Sequence, residues 1–309
     1  MKYAWINRHR QEFPVTQMCR VLGVSRSGYY DSRDRRESER SMRSARIRDC
    51  VAQVHQETDA IYGATKIALE LRHRDDLETA CRNTVAKAMK ELGIRSRTGR
   101  KAFRPRTTQA DPSKQPAANV LNREFTASAP DQKWVTDITY LATTAGWVYL
   151  AAVIDLFSRR VVGWSVSSSL ATGLVQAALQ DAIEKRRPNG SGLLHHSDRG
   201  CQYTSEAYQQ TLRTLGITCS MSRTGDCYDN AVAERFFWSL KHEWTNHRTY
   251  ADLEAARQSV FHYIEMFYNP TRRHQTLAWI SPIEFEAEYH SRLKTSAEPT
   301  QKETTTTAV

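Results

Sequence analysis

Three acidic residues beyond residue 130 occupy positions where a carboxylate is unexpected or useful. Asp137 interrupts an apolar, β-rich run, although aspartate is depleted in strands. Asp198 follows the short run LLHHS, and α/β sheets gather ligands at the carboxyl ends of such strands. Glu234 comes after 35 intervening residues, within a predicted helix. Taken singly, each has an ordinary explanation: a strand-edge or capping residue, a turn residue and a solvent-facing helix residue.

Taken together, the three carboxylates indicate a metal site. Three converging negative charges repel one another strongly unless a divalent cation joins them. Oxygen ligands suit Mg²⁺ or Mn²⁺. Two such ions roughly 4 Å apart activate an oxygen nucleophile and stabilise the leaving oxygen in phosphodiester chemistry. The residue types therefore predict a two-ion site that acts on phosphodiesters.

The helix that carries Glu234 ends the stretch Ser222–Trp244. Its loop closes with Asp229 and Asn230, either of which can cap the first free N–H groups of a helix. Glu234 lies at the edge of an apolar stripe, with Lys241 two turns below it on the same side. The stripe, at helical spacing, consists of Ala233, Phe237, Leu240 and Trp244. Packing of this stripe against a sheet would aim Glu234 at the two aspartates.

The elements that would position these side chains form a strand-rich body. Three β-rich runs are separated by segments short enough to be hairpin loops, and alternating helices and strands follow. The runs are Trp134–Leu141, Trp147–Ile154 and Arg160–Ser167. The later elements are Thr172–Lys185, Leu193–His196, Ser205–Leu215, Thr218–Met221 and, after the Glu234 helix, Leu253–Tyr268. This order predicts an α/β fold of the ribonuclease-H type, with a mixed five-stranded sheet flanked by helices.

The net charge of +10 is concentrated in the first third of the chain. Residues 1–110 contain 24 Lys/Arg against 13 Asp/Glu, whereas residues 111–309 contain 20 against 21. This imbalance indicates a polyanion-binding arm on a near-neutral body, although a merely solvated basic surface explains the charge equally well.

Two helical units in this basic region favour DNA binding. Residues 13–32 predict a helix, a turn at Gly23 and a second helix whose exposed start, with Arg26, is where such helices meet DNA. A plain helical hairpin fits this window as well. A second unit spans residues 62–93, and its last helix has an outward face with three basic residues, Arg82, Lys87 and Lys90.

A basic linker follows the two helical units. It contains Arg100 and Arg104, and extended segments of this kind can lie along phosphates. We expect no secretory signal at the start of the chain, and the apolar run Leu141–Ile154 has 14 residues, fewer than the roughly 20 that span a bilayer. The six cysteines show no CxxC pair and fit no zinc spacing. We therefore expect a cytoplasmic protein with no membrane partner.

Four motifs carry a resemblance to a known family. They are WVTDITYL, VIDLFSRRVVGW, HSDRGCQYTS and SRTGDCYDNAVAERFFWSLKHEW. With the 35-residue spacing and a lysine seven residues past the glutamate, they resemble the DDE transposase/retroviral-integrase superfamily. Within it they resemble the second-frame (OrfB) transposase of the IS-three group of bacterial insertion elements. The resemblance covers residues 45–290.

The resemblance implies a function and roles for individual residues. It implies Mg²⁺-dependent DNA strand cleavage and strand transfer, with Asp137, Asp198 and Glu234 as the catalytic, metal-binding triad. Asp137 and Asp198 would hold one ion, and Asp137 and Glu234 the second. Lys241 would contact DNA near the scissile phosphate. From their position after Gly200, we also expect Gln202 and Tyr203 to pin the DNA or the second-strand loop.

The resemblance also implies domains and partners. The predicted domains are an N-terminal helical or helix-turn-helix segment at 1–44, a helix-turn-helix DNA-binding module at 45–100, a basic linker at 101–131, an integrase catalytic core at 132–290 and a disordered tail at 291–309. The expected partners are the terminal inverted repeats, target DNA and further copies of the chain, at the nucleoid of a bacterium. A first-frame (OrfA) partner or fusion is also expected, because no sustained heptads occur here.

Two alternatives stay open at this point. One is a ribonuclease-H-like nuclease that cuts without joining, which the two basic modules and the linker argue against. The other is a DNA-binding regulator or inhibitor of transposition that lacks full activity alone. The presence of all three carboxylates argues against this second alternative.

Overall fold

The computed structural model describes residues 1–34, 38–73, 77, 79–97, 116–188, 192–223 and 227–297. The chain divides into two compact units, Met1–Arg95 and Ser96–Val309. Within the described ranges, no helix is long and apolar enough to cross a membrane. The first unit contains the helices α1 (Lys2–Arg8), α2 (Val15–Leu22), α3 (Arg26–Asp34), α4 (Glu39–Glu57), α5 (Ala64–Leu71) and α6 (Arg82–Glu91).

The first three helices pack around one small core. This core consists of Ile6, Met18, Cys19 and Tyr29. Gly23 ends α2 with a φ of +63°, a left-handed conformation that glycine adopts without steric cost. Ser25 then accepts the backbone N–H of Gly28 in the first turn of α3. The helix, turn and helix predicted at 13–32 are therefore present.

The helices α4, α5 and α6 form a second helical group. Their buried side chains include Ile47, Val51, Val54, Ile67, Leu71 and Val85. Gly93, with a φ of +67°, directly follows Leu92, the residue that caps α6. The helices α5 and α6 confirm the predicted unit at 62–93, with Ala88 and Met89 buried and Leu92 exposed.

The second unit is built on a five-stranded sheet. Its elements in chain order are β1 (Lys133–Thr143), β2 (Gly146–Asp155), β3 (Val161–Ser167), α7 (Thr172–Arg186), β4 (Leu194–Ser197), α8 (Glu206–Thr214), β5 (Thr218–Met221), α9 (Ala231–Glu243), α10 (Leu253–Phe261) and α11 (Pro282–Ala297). Short 3-10 turns occur at Cys227–Asn230, Thr245–His247 and Gln275–Leu277, and a π-helix, His262–Tyr268, continues α10.

The strand order β3-β2-β1-β4-β5 confirms the predicted mixed sheet. The strands β1, β2 and β3 pair antiparallel, whereas β4 pairs parallel to both β1 and β5. The helices α7 and α8 cover a core that includes Trp134, Val153, Leu179 and Leu212. The apolar stripe of α9 is buried as predicted.

Two predicted boundaries differ from the structure. The end of the predicted linker at 101–131 packs on the sheet: Leu121 is buried, and the N–H groups of Val120 and Leu121 donate to the Ser220 hydroxyl. The predicted disordered tail from residue 291 begins too early, because α11 continues through Ala297. Residues 98–115 and 298–309 lie outside the described residues.

Candidate active site

The register of β1 against β4 brings the two aspartates together. Lys133, Trp134 and Val135 pair with Leu194, His195 and His196 in parallel register. Continued for two more residues, this register sets Asp137 beside Asp198, on strands that neighbour each other at roughly 4.8 Å. Asp137 and Asp198 line one small cleft at the carboxyl end of β4.

The turn after β4 holds the Asp198 carboxylate in place. Its Oδ1 accepts the backbone N–H of Gly200 at 2.9 Å. A Cβ on Gly200 would lie 3.0 Å from this oxygen and 3.0 Å from Oε1 of Gln202, so a larger residue would press on both. The sequence Asp198-Arg199-Gly200 therefore forms the wall of the cleft as well as a turn.

The electrostatics of the cleft fit a cation. Burial, and then the negative charge of Asp198, raise the pKa of Asp137 well above its ordinary value. The charge of Glu234 raises this pKa too, whereas the Ile138 N–H and Lys241 lower it. The positive charge that the protein supplies does not offset the repulsion, so the carboxylate oxygens suit a divalent cation.

Glu234 lies in the first turn of α9, which is tied to β1. Asn230, at the start of this helix, donates from its amide to the Thr136 carbonyl at 3.0 Å. Glu234 itself is exposed, and its effect on the pKa of Asp137 places it within electrostatic reach of the cleft. Among the described residues, no group of three or more His, Cys, Asp or Glu side chains is arranged to hold a metal ion. The structure thus joins the two aspartates and brings the glutamate near them.

Lys241 lies beside an aromatic ring. Its Nζ is 3.8 Å from the centroid of the Tyr140 ring, a cation–π geometry. Tyr140 follows Asp137 by three residues on β1. The lysine therefore borders the acidic cleft, as its effect on Asp137 also indicates.

The two other residues predicted to contact DNA at this cleft are buried. Tyr203 is 1% exposed, and its hydroxyl lies 3.3 Å from Oγ1 of Thr136. Gln202 is 7% exposed and donates to the Leu170 carbonyl. Both side chains line the cleft with Asp137 and Asp198, and Tyr203 supports the strand that carries Asp137. That they pin the DNA stays a prediction.

The two histidines before Asp198 are structural. Burial lowers the pKa of His195 to about 3 and that of His196 to about 4, so both rings are neutral. His195 Nε2 lies 2.7 Å from the Tyr208 hydroxyl, and His196 Nδ1 lies 2.8 Å from the Ser220 hydroxyl. These contacts fasten β4 to α8 and to β5, which fixes the strand end from which Asp198 projects.

Asp229 was predicted to cap α9, and the structure assigns it another role. Its buried carboxylate accepts hydrogen bonds from Asn119 at 2.8 Å, from Arg123 at 2.9 Å and from both the backbone and side chain of Arg223. Arg223 is the first cause that holds the pKa of Asp229 well below its usual range. Asp229 thereby joins the segment before β1 to the loop that leads into α9.

We expect Asp229→Asn to lower the free energy of unfolding by about 1–2 kcal/mol at pH 7, since its arginine partners are half exposed. A carboxyl with a depressed pKa stabilises the fold above its unfolded pKa of about 4 and loses this contribution as the pH falls. The difference between wild type and variant should therefore shrink from pH 5 downwards. Urea unfolding at a series of pH values measures it, and a pH-independent difference would contradict the ion-pair explanation.

The basic residues predicted to bind DNA in the first unit are on its surface. Arg26 is exposed at the start of α3, and Arg82, Lys87 and Lys90 are exposed on α6. Lys87 also lies 3.9 Å from Glu91 one turn later. The predicted contacts of Arg100 and Arg104 lie outside the described residues.

Comparison with known proteins gives matches across most of the chain. Residues 127–227 and 215–282 match two family models that are both described as an integrase core domain, and residues 43–102 match an HTH-like domain. The chain is 41% identical over 289 residues to the transposase InsF for insertion sequence IS3A of Escherichia coli (strain K12), covering 93% of this chain and 98% of that protein.

The chain is also similar to a second insertion-element protein and to a solved integrase structure. The chain is 38% identical over 273 residues to an uncharacterized 31 kDa protein of insertion element IS600 of Shigella sonnei, covering 88% of this chain and 98% of that protein. The crystal structure of the catalytic core domain of BIV integrase aligns with 17% identity and a TM-score of 0.39, over 53% of this chain and 99% of that chain.

Proposed function

Because the chain belongs to the IS3 family of insertion-sequence transposases, we propose that Asp137, Asp198 and Glu234 are its catalytic carboxylates. The protein is a transposase with an integrase core, and thus a polynucleotidyl transferase that acts on DNA. Its HTH-like domain and its integrase core imply DNA as the partner.

The proposal depends most on the pairing of Asp137 with Asp198. Two carboxylates on adjacent parallel strands, one with a strongly raised pKa, suit a site for Mg²⁺ or Mn²⁺. We expect two ions, held by Asp137, Asp198 and Glu234. Bound there, divalent ions would activate the attacking oxygen and neutralise charge on the phosphate.

The protein's own residues would position the carboxylates, and the nucleophiles would come from water and DNA. Asn230 keeps the glutamate helix against β1, and the Gly200 turn fixes the Asp198 carboxylate. Water would be the nucleophile in strand cleavage, and a freed 3′-OH the nucleophile in strand transfer. No protein nucleophile is needed, which agrees with a cleft lined by carboxylates and supporting amide and hydroxyl groups.

The partners follow from the reaction. Two element ends must meet one target, so we expect a homo-multimer bound to terminal inverted repeats and target DNA at the nucleoid. We also expect a first-frame partner, or a fusion to it, to contribute to the recognition of the ends.

The decisive experiment uses labelled element ends. The chain is incubated with them in Mg²⁺, with and without the first-frame protein, and products are scored for cleavage and for joining to a target. Joined products that depend on Mg²⁺ support the proposal. Cleavage without joining would identify a nuclease, and binding without either reaction would identify a regulator.

We expect Lys241→Ala to weaken the binding of element-end DNA and to reduce the salt dependence of log K by about one unit of slope, as loss of one phosphate contact does. Binding is measured by anisotropy over a range of NaCl concentrations. Lys294→Ala, at an exposed position of α11, is the matched control and should leave the slope unchanged. An unchanged slope for Lys241→Ala would exclude its phosphate contact.

A further inference from the structure

A second, larger cleft continues along β1 from the acidic one. The acidic cleft includes Asp137 and Ile138, and the second cleft begins at Tyr140 on the same strand. Its volume is about 320 Å³. The residues that matter for its chemistry are Tyr140, Trp147, Lys241, Asn246, Arg248 and Tyr250. The two clefts therefore lie one after the other along β1.

The walls of this cleft are held by backbone hydrogen bonds. Two residues in the turn between β1 and β2 donate backbone hydrogen bonds. The Thr144 N–H donates to the Tyr250 carbonyl at 2.8 Å, and the Ala145 N–H donates to the Ala251 carbonyl at 3.2 Å. The Tyr250 hydroxyl accepts from Ser259 on α10 at 3.1 Å. Two separate segments are therefore fastened together around the cleft, so its shape is built into the fold.

The lining combines aromatic rings with positive charge. Trp147 is 46% exposed, and its ring stands edge-on to Tyr140 with the centroids 5.2 Å apart. Lys241 lies over the Tyr140 ring. The Arg248 guanidinium lies 3.4 Å from the centroid of the Trp244 ring. The cleft thus has an exposed tryptophan and two cations in its lining, a combination on which nucleobases stack while their phosphates are neutralised.

The distance to the carboxylates restricts what could enter. Asp137 and Tyr140 are three residues apart on one strand, about 10 Å at the rise of a β-strand. A base in this cleft would thus belong to a nucleotide close to the reacting phosphate. A base stacked in a duplex cannot reach an aromatic wall, so the nucleotide must be unstacked or single-stranded.

We propose that the cleft lined by Tyr140, Trp147, Lys241 and Arg248 binds one unstacked base of the element-end DNA, beside the phosphate that reacts at Asp137. This inference rests on the proposed function and specifies where the DNA end is held. Trp147 supplies the stacking surface. Lys241 and Arg248 supply charge for the phosphates on either side of the base.

The test combines removal of the Trp147 side chain with removal of single bases from the DNA. Wild type and Trp147→Ala are assayed for strand joining in Mg²⁺ on intact element ends and on ends that carry one abasic site, moved through each nucleotide flanking the cleaved phosphate. On intact ends we expect Trp147→Ala to lose about tenfold in joining, as loss of one base–aromatic stack does. At one abasic position, wild type should fall to the level of the variant, and the variant should lose nothing further.

Controls separate this inference from folding and from the proposed function. Phe261→Ala removes a half-exposed ring of α10 that does not line the cleft, and it should match wild type on every substrate. Melting temperatures verify that Trp147→Ala is folded. The base-binding role would be overturned in either of two cases. In the first, Trp147→Ala joins intact ends as well as wild type does. In the second, Trp147→Ala stays tenfold below wild type at every abasic position. Absence of joining by wild type on intact ends, with the first-frame protein also present, would instead refute the proposed function.

Discussion

Glu234→Gln should lose at least about 10³-fold in strand cleavage and in strand joining, the size of loss seen when a group that acts in the transition state is removed. The amide keeps the shape of the side chain and removes its charge. Glu234 is exposed in the first turn of α9, so the substitution should leave the melting temperature and the affinity for element-end DNA unchanged. Gel assays of labelled ends measure the reactions, and mobility shifts measure the binding.

The matched control is Glu184→Gln, the same substitution at an exposed position of α7. It should react like wild type. If Glu234→Gln cleaved and joined at wild-type rates in Mg²⁺, Glu234 would not be a catalytic carboxylate. A variant that lost DNA affinity in step with activity would instead place Glu234 in binding.

The strands and the order of the elements could be predicted from local patterns. β-rich runs and helical periodicity depend on residues close in sequence, and the predicted elements from β1 to α9 are present within a few residues of their predicted ends. Local patterns do not predict that Asp137 and Asp198 lie close together. Their proximity depends on the pairing of β4 with β1 in one particular register. That register is set by burial across the whole sheet, which no local pattern contains.

Burial also explains why two side chains have surroundings that their sequence positions do not suggest. Tyr203 follows a turn and has the composition of a surface loop, yet it packs under β1. Asp229 has the position of a helix cap, but Arg123, 106 residues earlier, makes it the centre of an ion-pair group. Its arginine partners, Arg123 and Arg223, both precede it, and nothing in the sequence showed which acidic residue they would reach.

The final helix was missed for a similar reason. Two aromatic residues of α11, Phe285 and Tyr289, contact Phe157, and a buried polar group also anchors the helix. Glu286 is buried, where it accepts from Ser158 at 2.7 Å, from Arg160 at 2.7 Å and from Arg186 at 2.8 Å. An acidic residue near the end of the chain is expected to be exposed until its partners, in the loop between β2 and β3 and at the end of α7, are known.

Asp137→Asn should abolish strand joining and yet make the metal-free protein more stable. Burial and the charge of Asp198 raise the pKa of Asp137, so the folded state keeps this proton at pH values where the unfolded chain has released it. The contribution of Asp137 to the free energy of unfolding therefore falls as the pH rises above about 4. The asparagine variant does not have this penalty. Its advantage in EDTA at pH 8 should be on the order of 1–3 kcal/mol.

Mg²⁺ or Mn²⁺ should reverse this order, because a ligand that binds only the folded state stabilises it in proportion to its affinity. Either ion should raise the melting temperature of wild type and leave that of Asp137→Asn nearly unchanged. Asp49→Asn, at an exposed position of α4, should behave like wild type with and without metal. A variant less stable than wild type in EDTA would show that the carboxylate is held by the protein itself. The same metal response in both proteins would show that the ion binds elsewhere, so this comparison tests the metal site without requiring any DNA reaction.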